Sequence, residues 1–203
     1  MNGPTVSLVP LSLDHVGDFV RYSGDVSLWT WWLRRPPVDL EGMSREVEAA
    51  LVQQGEGRRV PYSIYHRERK EYIGSTSLWN VDCVHRSLEI GSTWLAQPFH
   101  GSGINRECKE LLLAHAFRIL RLNRVVLQTD ELNLRSRRAI EKLGARLDGI
   151  HREDKVVWDG RIRSSAVYSI LASEWRPNQP PEPTRGIGPV LLFQSRQPRV
   201  AHL

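Results

Sequence analysis

The sequence holds only two cysteines, Cys83 and Cys108, far apart and in no metal-ligand spacing. That argues against a disulfide framework and against a zinc site. No run approaches the roughly 20 apolar residues that span a bilayer, so a membrane protein is not expected. Met1-Asn2-Gly3-Pro4-Thr5 has neither a basic nor an apolar segment. It is read as no secretory signal, with cytoplasmic residence as the expectation. Internal repeats are absent. Net charge is also scarce: 28 Lys and Arg against 23 Asp and Glu leave +5. Three arginines and one glutamate from Pro177 onward account for +2 of it, leaving +3 for the body. Without a basic stripe this does not point to nucleic acid, although a modest positive bias suits a polyanionic ligand.

What is present fits an ordinary globular chain. Hydrophobic residues make up 40% and charged residues 25% of 203 positions, enough for one sizeable core and short for two. The domain is expected to span residues 1–176. Six of the twelve prolines fall from Pro177 onward, where neither a helix nor a central strand can be sustained. Residues 177–203 are therefore expected to form a Pro-rich, disordered tail.

The body reads as alternating strands and helices, an α/β (α+β) pattern. Val6 to Leu11 is an expected strand, with Asp14 as a cap for the helix after it. Glu41 to Gln53 carries Met43, Val47, Ala50 and Leu51 at helical spacing. Arg59–Tyr65 and Tyr72–Val81 read as antiparallel strands, and Leu88–Leu95 as another, interrupted by Gly91, where a bulge or close approach is expected. The clearest helix starts near Gly103. Ile104, Cys108, Leu111, Leu112, His115 and Ile119 fall on one face, with Arg106, Lys109, Glu110 and Arg118 off it. A strand over 124–129 and a helix over 133–143, ended by Gly144, follow. Asp159-Gly160 signals a turn between Lys155–Trp158 and Ser165–Leu171.

Chemistry concentrates where strand 88–95 runs through Gln97-Pro98-Phe99-His100-Gly101-Ser102-Gly103-Ile104-Asn105 into a helix. Amides at a helix start lack internal partners and sit at the positive end of the dipole. Glycines let the backbone approach a ligand, so the segment suits a phosphate or pyrophosphate. The alternative is a tight turn that merely starts a helix.

His100-Gly101-Ser102-Gly103-Ile104-Asn105 resembles the Arg/Gln-x-x-Gly-x-Gly/Ala loop of the GNAT acetyltransferase superfamily, with Gly103 matching and His100 and Asn105 departing. Asn133-Leu134-Arg135-Ser136, followed by Lys142-Leu143-Gly144, resembles its Asn-x-x-Ser and Lys-x-Gly segment. Asp159-Gly160-Arg161, Tyr168-Ser169-Ile170 and Glu174-Trp175 complete a resemblance over about Val6–Trp175 to the RimJ/RimL-like group, the ribosomal-protein N-terminal acetyltransferase type. The resemblance implies a mostly antiparallel sheet flanked by helices, in which two parallel strands, 88–95 and 124–130, splay apart. The pantetheine arm of acetyl-CoA would lie between them, near Trp94 and Leu95. Its pyrophosphate would meet Gly101, Ser102, Gly103, Ile104 and Asn105, and Asn133 would contact the arm. His100 is read either as a phosphate contact or as a surface loop residue.

The implied reaction is acetyl transfer to a primary amine of a protein N-terminus or a small molecule, by direct attack in a ternary complex. No metal is implied. Glu89 is the expected general base; the alternative is an exposed charge at a strand end. Ser136 is the expected acid toward the departing sulfur, because Ile140 stands where many relatives carry tyrosine; the alternative is a cap for a helix starting near Arg137. Trp29, Trp31, Trp32 and Tyr168 are candidate walls of the acceptor pocket, against a default of core packing. Arg135, Arg137 and Arg138 are candidate contacts for the adenosine end. Acidic groups at the mouth, such as Glu41, Glu46 or Asp82, would suit a cationic acceptor. A homodimer is a further expectation, because relatives often form one. The competing function is a non-catalytic acyl-CoA sensor on the same fold.

Overall fold

The computed structural model describes residues 1–176, and the expected tail lies outside the described residues. The elements are β1 (Val6–Pro10), α1 (Val16–Ser23), α2 (Leu40–Gly55), β2 (Arg59–His66), β3 (Glu71–Asp82), β4 (Ser87–Leu95), α3 (Ile104–Ala114), β5 (Arg124–Asp130), α4 (Leu134–Glu141), β6 (Arg146–Val156) and β7 (Ile162–Leu171). One seven-stranded sheet runs β1-β2-β3-β4-β5-β7-β6. Every neighbouring pair is antiparallel except β4 with β5, which is parallel. The mixed, mostly antiparallel sheet with one parallel pair is the expected fold.

Each face of the sheet has its own core. Leu88, Ile90, Leu127, Tyr168 and Ile170 bury against Ile104, Cys108 and Leu112 of α3 and Ile140 of α4. On the other face Phe19 of α1 and Met43, Val47 and Ala50 of α2 pack with Trp29 and Trp94. No described helix is long and apolar enough to cross a membrane.

Several local expectations are corrected. Ser12, not Asp14, caps the first turn, and its capping box is closed by His15. The apolar stripe of α3 holds only to Ala114. Residues His115–Ile119 form a π-helical turn, and the wider turn rotates the face, so Ala116 and Phe117 are buried while Ile119 is exposed. Strand β6 starts at Arg146, far ahead of Lys155. It is an edge strand exposed along nearly its whole length, so it carries no alternation to read.

Candidate active site

β4 and β5 are paired only at Ser87–Arg124, Leu88–Val125 and Glu89–Val126. Beyond Glu89 they part: β4 stays with β3 and β5 stays with β7. The cause lies in β4, where Ser92 and Thr93 together oppose the single Thr76 of β3. This bulge bends the strand and puts Ser92 at φ 46°. A Cβ on Gly74, facing Leu95 across the pair, would lie 2.3 Å from the Trp94 carbonyl oxygen, so the tight β3–β4 approach requires glycine there. The widened gap exposes backbone groups of 90–95 and 127–130 that have no strand partner across it.

The chain leaves β4 at Leu95 and enters α3 through Gly101 (φ 76°) and Gly103 (φ 88°), both in the left-handed region that favours glycine. Gly103 is the N-cap and offers no side chain to the first turn. The Ile104 amide donates to Ser102 Oγ at 3.4 Å. The first helical bond is Glu107 N–H to Gly103 O, so the amides of Asn105 and Arg106 have no partner among the described residues. Gly101, Ser102 and Gly103 are exposed. Free amides, positive-φ glycines and the start of an eleven-residue helix fit a pyrophosphate. His100 is less available. It lies 2.8 Å from Leu95 O through Nε2 and 3.1 Å from an Arg135 guanidinium nitrogen through Nδ1. Since the guanidinium can only donate, Nδ1 accepts and Nε2–H donates to Leu95. The ring thus clamps the end of β4 to α4.

Glu89 sits at the last paired position before the gap, on the α1/α2 face, and is half-buried. Burial pushes its carboxyl above the ordinary range, while Lys155 and Arg163 pull it back. Gln128 Nε2 donates to it at 3.3 Å. A Cβ on Gly91 would stand 3.2 Å from Glu89 Oε1 and 3.4 Å from Trp79 Cδ1, so the glycine leaves space for both. Trp79 in turn donates its indole N–H to Ser92 Oγ at 3.1 Å.

On α4 the cap is Asn133, whose Oδ1 accepts the Ser136 amide at 3.0 Å. The helix therefore starts at Leu134, and Ser136 is not its cap. The Ser136 hydroxyl and the Asn133 side-chain NH₂ make no hydrogen bond among the described residues. Arg137 is committed to Tyr168 and to the Glu131 carbonyl. Arg138 is exposed.

Two proposed pocket walls are elsewhere. Tyr168 is 1% exposed in the α3/α4 core, and its hydroxyl donates to Glu141 on α4 and accepts from Arg137. It faces away from Glu89, because successive strand residues point to opposite faces. Trp29 is 0% exposed, with its N–H on Ser23 O, packed between Trp32 and Trp94. It is core and has no free face. Trp94 is also buried, so only its backbone can meet a ligand. Trp31 and Trp32 are half-buried. Arg161 covers the Trp31 ring and pairs with Asp130 at 2.6 Å. None of the three candidate acidic groups stands free: Glu46 pairs with Arg34 at 2.6 Å, Glu41 pairs with Arg45, and Asp82 accepts the amides of its own turn.

Sequence reasoning passed over Trp79, which supports Ser92, and Lys109, which is buried against Thr93. For Trp79 the strand 72–81 was legible, but no sign showed that the residue would oppose Glu89 across the sheet. For Lys109 helical spacing pointed the wrong way.

The family described as Acetyltransferase (GNAT) domain matches residues 5–146. A Bacillus subtilis (strain 168) protein named "Putative ribosomal N-acetyltransferase YdaF" is 33% identical over 142 residues, covering 70% of this chain and 66% of its own length. The match thus spans just under two thirds of that relative. A solved structure from T. thermophilus, named "putative acetyltransferase", is 38% identical, with TM-score 0.77 over 86% of this chain and 90% of its own. The spermidine N-acetyltransferase from Vibrio cholerae, solved with CoA and spermine, shares the fold at 19% identity, with TM-score 0.70 over 85% and 98% of the two chains.

Proposed function

This chain belongs to the GNAT acetyltransferase family, and on that premise we propose that it is an N-acetyltransferase using acetyl-CoA as donor and a primary amine as acceptor. The observation that carries this reading is the parting of β4 from β5 just after Glu89, with the free amides before and within the first turn of α3 at the end of the same strand. The gap suits the pantetheine arm, and the loop Gly101–Asn105 suits the pyrophosphate. That the Vibrio cholerae enzyme was solved with CoA supports the choice of donor.

In the reaction the amine nitrogen attacks the thioester carbonyl carbon. A C–N bond forms, the C–S bond breaks, and sulfur leaves with the electron pair and takes up a proton. Glu89, held half-buried with its carboxyl raised, accepts the proton lost by the amine, directly or through water. Ser136, with its hydroxyl unclaimed, is the group to hydrogen-bond the departing sulfur or to pass it a proton that the hydroxyl regains from water. Backbone N–H groups along the parted stretch of β4 receive the negative charge that develops on the carbonyl oxygen. An α-amine, with an ordinary value near 7.7–8.0, needs less help than a lysine near 10.4. The pairing of Glu46, Glu41 and Asp82 within the fold favours an acceptor without several positive charges.

Calorimetry with acetyl-CoA tests the reading. The expected result is binding by wild type and its loss in Gly103→Trp, whose side chain would enter the open space before α3. A folded wild type that does not bind acetyl-CoA would overturn it.

A further inference from the structure

Lys109 lies in the second turn of α3, only 7% exposed. Its Nζ donates to Thr93 Oγ1 at 2.5 Å. Thr93 Oγ1 is in turn 2.7 Å from Thr76 Oγ1 and 3.4 Å from the Gly91 carbonyl oxygen. The ammonium forms no ion pair among the described residues, and burial pulls it down to about 8. A buried charge without a counter-charge costs several kcal/mol. A leucine or methionine would fill the same helix position without that cost, which makes the retained charge a sign of use.

Its placement indicates what the charge serves. Thr93 and Ser92 are the two bulge residues facing Thr76. Lys109 holds Thr93 from the α3 face, while Trp79 holds Ser92 from the other. The bulge is thereby gripped on both sides of the sheet. It lies in the stretch of β4 that has left β5 and turns its backbone to the gap. An ammonium donates only, so the Thr93 hydroxyl must present a lone pair to it and direct its own proton to Thr76 or Gly91.

We propose that Lys109 is a positioning residue for acetyl transfer: from beneath the β4 bulge it fixes the strand segment that receives the thioester carbonyl and supplies a positive field there. This rests on the acetyl-CoA reading above. Negative charge gathering on the carbonyl oxygen is favoured by a nearby cation in a dry interior far more than in water. The field acts through the held strand, not by contact with the amine.

The test needs no acceptor. Wild type, Lys109→Met and Thr93→Val are each loaded with acetyl-CoA labelled with carbon-13 at the thioester carbonyl. Affinity is read by calorimetry and the carbonyl stretch by isotope-edited infrared difference. In wild type the stretch is expected to fall below its value in water. Lys109→Met should bind acetyl-CoA within about threefold of wild type and lose most of that fall, because a field term is removed and the phosphate contacts are not. Thr93→Val should lose part of it, and it carries the test if the methionine variant does not fold. An unchanged stretch in both variants overturns the proposal and leaves acetyl-CoA binding standing. Failure of wild type to bind acetyl-CoA overturns both readings together.

Discussion

Strand β4 has a charged side chain against each of its faces, half-buried Glu89 on one and buried Lys109 of α3 on the other, and the two are kept in different ways. On the α1/α2 face Glu89 is surrounded by Gln128, Lys155 and Arg163. Burial and cations oppose one another there, leaving a carboxyl raised but still able to titrate. On the α3 face Lys109 donates to the hydroxyl of Thr93, which is itself bonded to Thr76, and burial outweighs the one opposing influence, from neighbouring Cys108. The difference separates two kinds of polar group in one site. Glu89 is placed to exchange a proton, whereas Lys109 is placed to hold a charge still, at a cost to stability.

The comparison is tested hardest at Glu89. Glu89→Gln keeps the side-chain volume and a hydrogen bond to Gln128 but cannot take a proton. Turnover, followed as release of CoA thiol, is expected to fall by about 10²-fold or more, with acetyl-CoA affinity nearly unchanged. In wild type the rate should drop on the acid side as pH passes down through the raised Glu89 value, and that limb should vanish in the variant. A variant within a few-fold of wild type would remove Glu89 from the chemistry.

The second test asks whether Lys109 costs stability. A lysine held near 8 in the fold and about 10.4 when unfolded binds fewer protons folded than unfolded between those values. The penalty is therefore full below about pH 8 and fades as pH rises towards 10.4. Cys108 beside it is pushed up to about 12 by burial, so its thiol stays neutral over this range. Glu107 is engaged with the amides of Thr5 and Val6, and the two threonines do not titrate. Lys109→Met should be more stable than wild type in urea at pH 7, by on the order of 1–3 kcal/mol. The gap should narrow above about pH 8 and close only above about pH 10.4. A methionine variant less stable than wild type at pH 7 would mean that the lysine is structural.

This asymmetry also explains what the sequence made legible. The start of α3 at Gly103 and its apolar stripe as far as Ala114 rest on local patterns of glycines and apolar spacing, and they stand where those patterns put them. The parallel pair was implied by the family resemblance and not by spacing. Lys109 falls off the α3 stripe by periodicity, yet it is buried, because the bulge in the preceding strand brings Thr93 beneath it. No helical pattern carries that information. Tyr168 and Trp29 failed as pocket walls for a related reason. A strand has two faces and a tryptophan cluster has an inside, and the sequence does not say which side the ligand takes. Glu89 could be chosen only because its strand was recognised as the one that splays.

The mildest perturbation refines the comparison on the Glu89 side alone. Gly91 needs no left-handed backbone, so the argument for glycine is space. A methyl group would lie 3.2 Å from Glu89 Oε1 and 3.4 Å from Trp79 Cδ1. Both neighbours are side chains and can yield by a few tenths of an ångström, so Gly91→Ala should cost about 1 kcal/mol or less in stability. The carboxylate is the more mobile neighbour and should move first. Turnover is then expected to fall by roughly three- to tenfold, with acetyl-CoA affinity and the carbonyl stretch both unchanged, because Thr93 and Lys109 lie on the opposite face. If Gly91→Ala alters the stretch as well, the two faces of β4 do not act independently.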